Sequence, residues 1–152
     1  MRYEIFIEYF KTEEGLTQLL KDCQSTFNAL DELSGQLQGS VLTTPDDWKT
    51  ALSQATGHFG FLNPLYTVAT AIKENAELRF YMEEKGEMES KGEKVVATSL
   101  DKSANLKVAQ FRQVRNVLEG FTGVAEKIIA TSQSQLKRLE VEIKNRNTTL
   151  NE

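Results

Sequence analysis

Cysteine, histidine, tryptophan and proline are all scarce in this chain. Its 152 residues include one cysteine, one histidine, one tryptophan and two prolines. A single cysteine, Cys23, excludes an internal disulfide framework and a multi-cysteine zinc site. It reads as a small buried hydrophobe. The lone histidine, His58 in "TGHFGF", has no second histidine with which to share a metal. It reads as a packed or surface side chain rather than a catalyst. Long hydrophobic runs are missing too. No stretch approaches the roughly 18 apolar residues that a membrane-spanning helix needs. The apolar opening "MRYEIFIEYF" is interrupted by Glu4 and Glu8, so no signal peptide is expected and the expected setting is cytoplasmic. Also absent is any global positive field, since 18 basic and 22 acidic side chains leave a net charge of −4.

Catalytic constellations are equally hard to find. Ser132 and Ser134 have no base near them in the sequence. "GEMESKGEK" has two glycines, but neither the spacing nor the preceding strand of a phosphate loop. Glu74 and Glu77 stand three apart, as one side of a metal site would, but no histidine or matching pair completes it. No enzyme, cofactor or metal is expected.

What the chain does have is helical periodicity. Leu16, Leu19, Leu20, Cys23, Phe27, Leu30, Leu33 and Leu37 recur in steps of three and four, one stripe of a helix that should end at Gly39–Ser40. The aromatic-rich residues 3–10 read as helix in preference to strand. "TTPDDW" is a strong start signal: Thr44 to cap, Pro45 in first position, Asp46 and Asp47 against the positive end of the dipole. "GHFGFLNP" reads as an interruption, with Asn63–Pro64 starting a further helix that fades near Lys85–Gly86. Residues 86–99 read as a charged loop.

From about Ser99 a 3.5-residue seam begins. It runs through Ala104, Val108, Phe111, Arg115, Leu118, Thr122, Ala125, Ile129, Ser132, Leu136, Leu139 and Ile143. Forty helical residues would span about 60 Å, more than a small domain covers by itself. The glycines at 120 and 123 either permit close approach or are simply tolerated. "KNRNTTLNE" reads as a frayed polar tail. The expectation is one all-α domain over 1–152, a helical bundle. It comprises amino-terminal helices in 1–62, a central helix over 63–85, the 86–99 loop and a coiled-coil-like helix over 100–146. That long helix would pair copies into a homo-oligomer through Phe111, Leu118, Phe121, Ile129 and Leu136.

Charge is unevenly distributed. Residues 1–100 hold 9 basic and 16 acidic side chains, whereas residues 101–152 hold 9 and 6. Lys102, Lys107, Arg112 and Arg115 cluster around Phe111, and single-stranded nucleic acid wants cations for phosphates beside flat side chains for bases. The same charges also suit the solvent face of a coiled coil, pairing across chains.

"TSLDKSANLKVAQFRQVRNVLEGFTGVAEKIIATSQSQLK" resembles the carboxy-terminal helical half of the phage recombination mediators of the UvsY family. The likeness lies in Leu-Asp-Lys at 100–102, "LKV" at 106–108 and "LEGFTG" at 118–123. "AELRFY" at 76–81 looks like that family's basic-aromatic segment, and the likeness covers about residues 64–140. It implies a ring-like homo-oligomer that binds single-stranded DNA, contacts the single-strand-binding protein and helps load a RecA-like recombinase without hydrolysing anything. A phage origin would place it in the bacterial host cytoplasm. The resemblance marks Arg79 as a DNA contact, joined by Lys102, Lys107, Arg112 and Arg115, while Phe80 and Tyr81 either stack or pack. Against it stands a helical structural or adaptor protein that works through protein contacts and binds no DNA.

Overall fold

The computed structural model describes the backbone of residues 3–149 and the side-chain surroundings of residues 6–146. Among them there is no strand. The order is α1 (Tyr3–Glu8), α2 (Glu13–Gln38), α3 (Pro45–Ser90), α4 (Ala97–Lys107) and α5 (Ala109–Thr149). The all-α expectation holds. Contacts divide the chain into two compact units, each built from two separate stretches. The first joins the chain up to Asp22 with Pro64–Glu119; the second joins Cys23–Asn63 with the chain from Gly120 onward.

Local chemistry sets where α2 begins and ends. The Thr12 hydroxyl accepts the Gly15 N–H at 3.0 Å, capping the free amino end. Gly15 is required there, because a Cβ would stand 2.5 Å from the Tyr9 carbonyl oxygen. The α2 stripe is realised: Leu16, Leu19, Cys23, Phe27, Leu30 and Leu33 are all buried. At the carboxyl end, Val41 N–H bonds to the Gln36 carbonyl and Ser40 N–H to that of Leu37, a Schellman closure. Ser40 takes the left-handed position, with φ 54°.

The start of α3 follows its sequence signal. The Thr44 hydroxyl accepts the Asp47 N–H at 3.2 Å, and the Asp47 carboxylate accepts the Thr44 N–H at 2.8 Å and that of Thr43 at 3.1 Å. Beyond that point the expectation needs correction. No interruption occurs at "GHFGFLNP", and no helix starts at Asn63–Pro64: α3 is one helix of 46 residues with Pro64 inside it. The reason is register. Buried Ala51, Ala55, Leu62, Leu65, Ala69 and Ala76 keep one unbroken three-four spacing, which half-buried His58 and Ile72 complete. Pro64 and Gly60, whose carbonyl loses its partner, are both exposed, so solvent takes up the missing rung.

α3 also outlasts the expected fade at residues 85–86. It stops where Gly92 adopts φ 70°, with Glu93 N–H bonded to the Met88 carbonyl and Gly92 N–H to that of Glu89. The supposed 86–99 loop therefore shrinks to residues 91–96. The expected 100–146 helix is two helices. α4 starts at Ala97, the chain departs from helix at Val108, and α5 resumes at Ala109. Arg112 supplies a cause: its Nη2 donates to the Asn105 carbonyl at 3.1 Å, the acceptor that a helical Ala109 N–H would use. α5 then runs to Thr149, so residues 144–149 of the expected frayed tail are helical; residues 150–152 lie outside the described residues.

Each unit has its own apolar centre. In the first, Phe10 stacks on Phe111 with ring centroids 6.4 Å apart, and Leu100, Val108 and Leu118 are buried. In the second, Phe27 stacks on Phe121 at 4.1 Å, near buried Leu30, Ala125 and Ile128. These placements correct one residue of the expected oligomer seam. Leu118 is fully buried within its own chain, and Phe111 and Phe121 are engaged by Phe10 and Phe27. Ile129 and Leu136 remain half-buried.

Candidate nucleic-acid interface

All five cations singled out for DNA contact belong to the first unit, where α3, α4 and the start of α5 present them. Arg79 is exposed on α3. Its guanidinium lies 5.0 Å from the Phe80 ring centroid and its Nε is 3.7 Å from Glu83. Lys107, at the end of α4, approaches the same ring at 5.6 Å and Glu84 at 3.7 Å. Phe80 thus sits half-buried beside two cations, each also facing a carboxylate.

Arg115 is more tightly held. Its Nη1 donates to Glu119 at 2.8 Å and to Asn116 at 3.0 Å, and its Nη2 donates to the Tyr66 hydroxyl at 3.4 Å. That hydroxyl in turn donates to Glu119 at 3.1 Å, and the guanidinium lies 5.5 Å from the Tyr66 ring centroid. Arg112 spends its guanidinium on the side chain and carbonyl of Asn105. Lys102 alone of the five is exposed with no partner among the described residues.

The electrostatic balance follows from these pairs. Glu83, Glu84 and Glu119 each answer one cation, while Arg112 is held by the neutral Asn105 and Lys102 faces no carboxylate. A phosphate would have to displace a carboxylate at three of the five positions. The exposed Arg79–Glu83 pair holds weakly, about 0–1 kcal/mol, whereas the other two pairs each include a half-buried partner, so displacing the carboxylates opposes binding.

The Arg79–Phe80–Tyr81 stretch therefore divides in three. Arg79 faces solvent, Phe80 packs towards Lys107, and Tyr81 is half-buried in a cleft. That cleft, about 400 Å³, is lined by Glu74, Glu77, Leu78, Tyr81, Asp101 and Ala104. Lys73 pairs with Glu77. Among the described residues, no three histidine, cysteine or carboxylate side chains are placed to hold a metal ion. No described helix is long and apolar enough to cross a membrane.

Sequence reasoning missed Tyr66, Glu84 and Asn105, the groups that hold Arg115, Lys107 and Arg112. Tyr66 lies 49 residues from Arg115, a separation that local spacing cannot register. Asn105 sits seven residues before Arg112, a two-turn spacing that was there to read.

No family model, curated protein or solved structure matches this chain.

Proposed function

We propose that this chain is a non-enzymatic helical interaction protein, a structural or adaptor module that works through protein contacts. One observation carries the reading. Of the five candidate phosphate-binding cations, four are engaged inside the first unit by Glu83, Glu84, Glu119 and Asn105, leaving Lys102. Large apolar side chains on the same unit are meanwhile open to solvent: Leu78, Met82 and Leu106. Exposed apolar groups beside internally engaged cations favour a protein partner over a polyanion.

The test is a fluorescence-anisotropy titration of labelled oligothymidylate at about 20 mM salt, where phosphate binding is strongest. The expected result is no saturable binding. Saturable binding that weakens steeply with salt overturns the reading.

A second reading has its own support. Recombination mediators of the UvsY type, which residues 64–140 resemble, are single-stranded DNA-binding oligomers that assist a RecA-like recombinase and a single-strand-binding protein. The cation–ring contacts at Phe80 and Tyr66 are the arrangement such a role would use. Under that reading Arg79 and Lys102 make the first phosphate contacts. Replacing both by glutamine then reduces DNA affinity and flattens its salt dependence.

A further inference from the structure

We propose that α4 is a strap with two positions, kinked against α3 as observed and straightened onto α5, and that Arg112 selects between them. Such a switch operates whichever partner the first unit takes. The junction at Val108 is where the positions diverge. Val108 N–H bonds to the Ala104 carbonyl, and Arg112 N–H to that of Val108. Among the described residues, no backbone bond carries the ladder from Ala109, Gln110 or Phe111 N–H back to α4. In a continuous helix the Asn105 carbonyl would take the Ala109 N–H. Here it accepts the Arg112 Nη2 at 3.1 Å, and the Asn105 side-chain oxygen accepts the same group. The guanidinium thus stands in for a missing rung and holds the kink.

α4 is otherwise lightly held. Of its 11 residues only Leu100 and Ala104 are buried, and no side chain caps its start. It lies between two clefts. One, about 400 Å³, is shared with α3 at Glu74, Leu78 and Tyr81; the other, about 440 Å³, is shared with Phe10, Leu16 and Phe111. Lys107 faces Glu84 of α3 at 3.7 Å, beyond hydrogen-bond reach, and that carboxylate oxygen is buried with no hydrogen bond at all.

Straightening exchanges one set of contacts for another. It adds backbone bonds at Ala109, Gln110 and Phe111 and lets water reach Glu84. It gives up the burial of Leu100 and Ala104 and the Lys107 contacts. An 11-residue helix detached from α3 is marginal by itself, but not as the first turns of α5. The tether permits the movement: residues 91–96 are non-helical and mostly exposed, and six extended residues span about 20 Å, more than the roughly 16 Å length of α4. Straight, the strap adds Leu100 and Ala104 to the apolar surface that Leu78 and Leu106 already present.

Pulsed electron-spin resonance on the full chain tests the switch. With Cys23→Ala as background, spin labels go on Ala71→Cys and Thr98→Cys, both exposed and each one turn before the cleft residues Glu74 and Asp101. Two separations are expected, the longer in the minority. Arg112→Ala frees the Asn105 carbonyl for Ala109 and should raise the longer fraction about fivefold or more. Lys107→Ala loosens α4 from α3 without touching the junction and should raise it too, which keeps the test decisive if Arg112→Ala does not fold. A single separation shared by the parent and both variants overturns the switch. A longer fraction that Arg112→Ala leaves unchanged or lowers removes the role given to Arg112. A broad distribution accompanied by lost helical circular dichroism overturns it as well, since α4 would then unwind instead of straightening.

Discussion

The two units solve the same folding problem with different materials. By sequence the first holds 12 basic and 14 acidic side chains and the second 6 and 8, so both carry −2 while the first is far more densely charged. In the first unit, side chains distant in sequence are tied by polar contacts: Tyr9 to Asp22, Tyr66 to Glu119, Lys107 to Glu84. In the second, Lys49 pairs locally with Asp46 and Arg138 with Glu142. Its centre is built on the close Phe27–Phe121 stack and on Leu30 and Ile128, with Thr122 and Ser132 also buried. The difference teaches that internal polar ties consume charge. A dense field of cations is no sign of a polyanion site when carboxylates of the same unit face them.

Core truncation gives the largest expected effect and asks whether either unit folds alone. Leu118→Ala in the first unit and Leu30→Ala in the second each remove a side chain with no exposure. Each should cost about 2–5 kcal/mol in urea unfolding. Amide exchange then sharpens the comparison: protection lost only in the unit carrying the change marks the units as separate cooperative bodies.

Gly15→Ala comes next. The new methyl would press on the Tyr9 backbone carbonyl, so one of the two segments must shift. The expected loss is about 1–3 kcal/mol, read as a lowered urea midpoint. Its companion is Gly92→Ala, which forces a Cβ into the left-handed turn that ends α3. About 1 kcal/mol is expected there.

The smallest effect is on acid sensitivity, where the units differ in cause. Hydrogen bonds from Tyr9 and then Gln18 hold the Asp22 carboxyl below its ordinary value. The Thr44 and Thr43 N–H groups and the Thr44 hydroxyl do the same for Asp47. A carboxyl whose pKa is depressed by folding contributes stability above its unfolded value and loses it as pH falls through the folded one. Stability should therefore decline on acidification below about pH 4. Asp22→Asn and Asp47→Asn should each flatten that decline, as read from thermal midpoints across the acid range. A slope unchanged in both variants would place the acid response in other groups.

How much of this was legible in the sequence depends on the range of the interaction. The α2 stripe and the Thr44–Asp47 box were readable because every partner lies within a few turns. Pro64 misled because a proline and two glycines are strong local breakers, and they obscured a seam whose spacing runs through them unchanged. The end of α3 was misplaced for a related reason. Two glycines were available at 86 and 92, and only the backbone shows which one turns left-handed. The α5 seam was legible as apolar, but not that Leu118 within it is covered by its own chain. Periodicity says that a face is covered, not what covers it, and Phe10 and Phe27 lie about a hundred residues away in sequence. Of the carboxylates that face the basic residues, Glu119 stands four residues from Arg115, within reach of a spacing argument, whereas Glu84 lies on another helix from Lys107 and is not.

Pro64 gives α3 a property that its length conceals. A continuous ladder transmits unwinding from turn to turn, and a missing rung stops it. Melting that starts at Ser90 can halt at the proline, leaving the amino-terminal portion wound. A protease or an exchanging proton is therefore expected to meet the two sides of Pro64 differently, with the Gly60 carbonyl marking the absent rung.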